Sequence, residues 1–368
     1  YGHISRWNVS KVTDFSNMFK DQSNFNADIS DWDVSSGTNF GSMFSGATAF
    51  NADISGWDVS SGTDFSSMFS GATNFTGDIS DWNVSSGTNF MDMFSDATFF
   101  NADIRGWNVS SGTNFSSMFN GATSFKKDIN TKQVTRDGTT YTAWNVSNGI
   151  NFNDMFNGAT SFTGDISNWD VSKGTNFNNM FKDATAFTGN ISGWNVSRGT
   201  NFMGMFEGAT AFNADISDWD VSSGTDFSSM FLGATSFNGD ISGWNVSSGT
   251  NFMDMFKDAT NFRADINTKV VTRDDSSTYT AWDVSSGTNF MGMFEGATSF
   301  NGDIRNWDVS SGTNFSRMFA DATAFNQYIK FWIVNQSTQS VVCLKVQQKC
   351  LLEGLVQHQH MMISIKLE

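Results

Sequence analysis

Asp28, Asp53, Asp78, Asp103, Asp128, Asp165, Asp215, Asp240, Asp265 and Asp303 recur at one place in a repeated unit, with Asn190 standing in once. Carboxylates in register about 5 Å apart repel one another, so something must compensate. Each could accept backbone N–H groups in a turn, as Asx residues do. Asn190 suits that reading, because it keeps the acceptor and drops the charge. The alternative is a row of Ca2+ sites, since oxygen-only ligands suit that ion. Asp53, Asp78 and Asp103 are the weak candidates for metal, and no ligand loop of known spacing surrounds them. Turn capping is the favoured reading, and no cofactor is expected beyond that possible Ca2+.

A second polar row follows each Trp: Asn8, Asp33, Asp58, Asn83, Asn108, Asn145, Asp170, Asn195, Asp220, Asn245, Asp283 and Asp308. Ser residues flank it, with Asp31, Asp81 and Asp218 beside it in some repeats. This row reads either as a ligand-facing surface for carbohydrate, another polar polymer or cations, or as a solvated face. Asn8, Asn83, Asn108, Asn145, Asn195 and Asn245 also lie in Asn-Val-Ser sequons, as Asn74, Asn114, Asn190, Asn314 and Asn335 do in others. These are acceptors for glycosylation only in a eukaryotic secretory setting.

Catalytic constellations are not legible. His3, His358 and His360 are the only histidines and lie at the ends, so neither a Ser-His-Asp set nor a metal-histidine site can recur through the repeats. Carboxylates abound, yet nearly all belong to the columns, and a unique acid–base pair does not stand out. Thr columns at Thr38, Thr63 and Thr88, and at Thr48, Thr73 and Thr98, flank the apolar stripe instead of pairing on one face, which disfavours an ice-binding array. A non-enzymatic protein is expected.

The elements that must hold these rows repeat every 25 residues, as Trp7, Trp32, Trp57, Trp82 and Trp107 mark. Ile54, Trp57 and Val59 follow I-x-x-W-x-V, alternating with polar residues, and predict a short strand. Phe40, Met43, Phe44 and Ala47 fall at i, i+3, i+4 and i+7, which predicts a short helix with Thr38 as N-cap and Gly46 as its stop. One unit cannot bury enough apolar surface to offset its ordering entropy, so units must stack. The expected fold is therefore a repeat solenoid over 1–334, leucine-rich-repeat-like, with about 13 coils of one parallel strand and one helix each. Two insertions, near 130–143 and 267–281, read as projecting β-hairpins with local basic pairs Lys132 and Arg136, and Lys269 and Arg273. Residues 335–368 leave the pattern and read as a cap or tail; Cys343 and Cys350 lie there, spaced too far for a bridge on one helix. The opening Tyr1-Gly2-His3 suggests a mature product or a fragment cut in mid-repeat.

The unit Asp53-Ile54-Ser55-Gly56-Trp57-Asp58-Val59-Ser60, continued through Thr63, Phe65, Met68-Phe69, Ala72-Thr73 and Phe75, closely resembles the BspA-like surface-protein repeats, a mycoplasma lipoprotein-type family distantly related to leucine-rich repeats. The resemblance covers roughly residues 1–334. It implies a secreted or surface-displayed protein of the adhesin kind with no known catalytic activity. Most copies here read Gly-Thr-x-Phe where the family has Val-Thr-x-Met, which Val12-Thr13 partly keeps.

Composition bounds the partners. The 368 residues carry a formal net charge of −16. That argues against nucleic acid and against a polybasic membrane contact. No apolar run is long enough to span a bilayer, so membrane insertion is not expected. The expected partners are a host or matrix protein, a carbohydrate, or other copies of the chain, met at the cell surface or outside the cell. A structural subunit of a filament or coat is the runner-up.

Overall fold

A computed structural model describes residues 3–136, 138–329, 332–334 and 361–362. The chain divides into two compact units, Tyr1–Trp194 and Asn195–Glu368. Each is a stack of turn-built repeats.

Within the first unit the ring columns carry the packing. Trp32, Trp57 and Trp82 stack with centroids 6.4 and 6.5 Å apart and planes within 2°. Phe40–Phe65 and Phe44–Phe69 form two further columns at 5.7 and 5.6 Å. Phe50 lies 3.8 Å from Phe44 in its own repeat and 5.9 Å from Phe75 in the next. The second unit repeats the scheme, with Phe206–Phe231 at 5.7 Å and Trp282–Trp307 at 5.8 Å. Nearly parallel offset rings at these separations combine large apolar burial with favourable quadrupole geometry. Met43, Ala47, Ile54 and Val59 are buried among them.

The strand-plus-helix, leucine-rich-repeat-like solenoid of about 13 coils is not the observed fold. Among the described residues there is no α-helix, and the one helical segment is a 3-10 turn at Ile4–Arg6. Phe40, Met43, Phe44 and Ala47 are buried as the stripe requires, but consecutive turns bring them inward. Met43 N–H donates to Phe40 O and Ala47 N–H to Phe44 O, while the alternate amides of Phe40, Ser42, Phe44 and Gly46 donate to Asp64, Ser66, Met68 and Ser70 of the next repeat. The third residue of each of these two turns is left-handed: Ser42 has φ 56° and Gly46 φ 69°. That is the type II turn pattern, and a helix cannot run through it.

Sequence supplies the cause. The position of Ser42 is held by Asn17, Ser67, Asp92, Ser117, Asp154, Asn179, Gly204, Ser229, Asp254, Gly292 and Arg317, and that of Gly46 by Gly or Asp throughout. Gly, Asn and Asp are the residues that tolerate the left-handed region best.

The strand expected at Ile54, Trp57 and Val59 is also absent. Trp57 N–H donates to Ile54 O within its own repeat and Gly62 N–H to Val59 O, so this stretch is two β-turns. Among the described residues, parallel pairing between repeats lies at single residues, Asp14, Asn39, Asp64, Asn89, Asn114, Asn151 and Asn176 in the first unit, and Asn201, Asp226, Asn251, Asn289 and Asn314 in the second.

The insertions form antiparallel hairpins: β1 (Lys132–Arg136) with β2 (Thr139–Ala143), and β3 (Lys269–Thr272) with β4 (Thr278–Ala281). They do not project freely. Tyr141 Oη donates to Gly106 O and Tyr279 Oη to Gly243 O, both at 2.6 Å, laying each hairpin back on earlier repeats. β5 (Ile333–Val334) pairs with β6 (Met361–Met362). Apart from that pairing, the expected cap or tail at 335–368, with its cysteines, His358, His360 and the Asn335 sequon, lies outside the described residues.

Candidate functional site

Buried indoles set the frame for the polar rows. Trp57 Nε1 donates to Ile29 O at 3.1 Å, and Trp82, Trp107 and Trp144 reach Ile54, Ile79 and Ile104 in the same way. Each Ile carbonyl thus accepts from the following repeat as well as from the Trp amide of its own turn, which fixes the turn that carries the Asp column. In that turn Asp53 Oδ1 accepts from Ser55 N at 2.9 Å and from Ser55 Oγ at 2.7 Å. Asp28, Asp78, Asp215 and Asp240 make the same bond to the residue two positions on. The amide and hydroxyl of Ser55 hold the Asp53 carboxyl below the usual range. Asp128 and Asp265, which precede the hairpins, accept instead from the amides of Asp165 and Asp303.

The second row uses the same device. Asn8, Asp33, Asp58, Asn83, Asn108, Asn145, Asp170, Asn195, Asp220, Asn245, Asp283 and Asp308 each accept from a Ser amide two residues later. Oδ1 is committed to the turn, and that bond does not use the second polar atom of the side chain. Asn8, Asp33, Asp58, Asn83, Asp170, Asn195, Asp220 and Asp308 are exposed, while Asn108, Asn145, Asn245 and Asp283, beside the hairpins, are half-buried. Of the six Asn-Val-Ser asparagines, Asn8, Asn83 and Asn195 are thus the open ones, and the sequon residues Asn74 and Asn190 are exposed as well.

Asp31, Asp81 and Asp218 occupy the exposed turn between the two rows. Asp81 has a partner the sequence reading missed: Arg136 Nη2 lies 3.5 Å from its carboxylate and donates to Ser80 O at 2.8 Å. No local pattern marked this pair, and the matching basic residue of the second insertion, Arg273, lies over the Tyr279 ring instead, 4.4 Å from its centroid.

The candidate Ca2+ carboxylates do not converge. Asp103 forms a two-bond ion pair with Arg105, whose guanidinium holds the carboxyl down to about 2. Among the described residues no three His, Cys, Asp or Glu side chains are grouped to hold a metal. Among them, too, no helix is long and apolar enough to cross a membrane.

Residues 2–88, 57–142, 138–213, 191–279 and 275–350 each match the family described as Mycoplasma protein of unknown function, DUF285. The chain belongs to this family. Its five matches run through both units and both hairpins, so the DUF285 unit spans several of the 25-residue repeats. No curated protein and no solved structure matches the chain.

Proposed function

We propose that this DUF285 protein is a non-enzymatic, adhesin-like interaction protein at the cell surface or outside the cell, of the BspA-like kind, binding through its Asx rows. Its partner is a host or matrix protein or a carbohydrate. One observation carries the reading: Asp33, Asp58 and Asn83 are exposed at the same point of three successive repeats, each pinned by its Ser amide. Side chains fixed in advance lose little entropy on binding, and their regular spacing suits an extended polar partner.

Immobilised glycans and matrix proteins, probed with the purified chain, test this directly. A saturable signal should appear and be lost in the Asp33→Ala, Asp58→Ala, Asn83→Ala triple variant with its fold intact. Binding of unchanged strength in that variant removes the Asx rows from the reading. Regular fibres of the purified protein in electron microscopy would put the filament subunit in its place.

A further inference from the structure

The hairpins display what the turn between the Asp column and the Trp can hold. In the first unit Tyr141 Oη binds Gly106 O, one repeat before the hairpin. Arg136 binds Ser80 O and the Asp81 carboxylate, two repeats before it. In the second unit the Tyr contact recurs, Tyr279 on Gly243 O with Ser217 and Asp218 in the repeat before Gly243, while Arg273 lies over the Tyr279 ring, 4.4 Å from its centroid.

Ser30, Asp31 and Gly56 repeat that set of Ser, Asp and, one repeat later, Gly. No hairpin follows them, because Ile79 is joined to Trp82 by Ser80-Asp81 alone. Ser30, Asp31 and Gly56 are exposed, and among the described residues no donor reaches Ser30 O or Gly56 O. Gly56 also lacks a local reason to be glycine. Its φ is not positive, and a Cβ there would meet nothing within 4 Å. At Gly106 the same Cβ would come within 3.3 Å of Arg136 Nη2, so there the glycine makes room for the docked segment.

We propose that Ser30, Asp31 and Gly56 form an open copy of the hairpin dock, taking a two-stranded segment of a partner protein that presents an Arg guanidinium and a Tyr hydroxyl on one face. The inference rests on the interaction reading above and narrows its partner to a polypeptide. The dock offers two carbonyls and a carboxylate, so the ligand must bring donors. Asp28 and Asp33 flank Ser30-Asp31 in sequence and Asp53 and Asp58 flank Gly56, all four exposed, which favours a cationic one.

A cyclised peptide carrying residues 130–144, titrated into the full chain, is the probe. Saturable one-to-one binding is expected, with slowed amide exchange around Ile29–Trp32 and Ile54–Trp57. Asp31→Ala in the protein, or Tyr141→Phe in the peptide, should weaken it about tenfold. Absence of saturable binding, or affinity unchanged in Asp31→Ala, overturns the dock. If the peptide fails while glycans or matrix proteins still bind through the Asx rows, the dock falls and the broader reading stands.

Discussion

At the scale of single residues the Asx carboxylates are acceptors first and charges second. Asp33, Asp53 and Asp78 sit below the ordinary carboxyl range because a Ser amide and hydroxyl bind the ionised form. Asp103 goes furthest, to about 2, through Arg105. Its folded value lies below the 3.8 of a free carboxyl, so the stabilisation it provides is complete above pH 3.8 and lost as pH falls through about 2. Both side chains are roughly half exposed, which screens the pair and keeps its contribution small. Arg105→Ala should therefore return the Asp103 titration, followed by carboxyl NMR, to the range of its column neighbours, with little change in stability at neutral pH. Asp92 runs the other way: burial raises its carboxyl, opposed in part by a bond from Ser117. Both the turn acceptors and the fading of charge at Asn190 were legible from residue type. Asp81's partner was not, because Arg136 is 55 residues away in sequence and meets it only through the hairpin.

At the scale of the element, the tandem turns depend on two left-handed positions. Gly71 and Gly121 occupy the same column, with φ 70° and 67°. An L side chain there costs about 1–2 kcal/mol from backbone strain alone. At Gly121 an added Cβ would also collide with Asp96 Oδ1, whereas at Gly71 the nearest atoms belong to the Gly46 backbone at 3.5 Å or beyond. Gly71→Ala should cost about 1–2 kcal/mol in denaturant unfolding, and Gly121→Ala should cost more. Equal losses would mean that the Asp96 carboxylate swings aside freely. The same contact accounts for the order of that column: Asp21, Asp96 and Asp258 are each followed one repeat later by Gly46, Gly121 and Gly296. A helical reading missed this. Spacing i, i+3, i+4, i+7 reports only which side chains face inward, and two successive type II turns deliver the same four residues.

Across each unit, the described repeats are bonded to their neighbours as well as within themselves. Alternate amides of the Phe40–Gly46 stretch, the Trp Nε1 groups and the Thr hydroxyls, such as Thr63 Oγ1 to Thr38 O, all reach a neighbouring repeat. Trp107→Ala removes a buried indole, its tilted contact with Phe94 at 6.1 Å and the donor to Ile79 O. Such a truncation costs about 3–5 kcal/mol. Loss of amide protection should spread from Ile79 into the repeats on both sides. Loss confined to the altered repeat would mean that the repeats fold as separate beads.

The 25-residue period, the identity of the buried side chains and the two polar rows were fixed by the sequence itself, because burial follows apolar spacing and Asx turns follow residue type. Three things needed the folded chain: turns in place of strand and helix, pairing through isolated bridges, and hairpins lying back on earlier repeats. Each depends on where a backbone amide finds its acceptor once repeats stand side by side. Such a choice between a bond within the repeat and a bond to its neighbour leaves the apolar pattern unchanged.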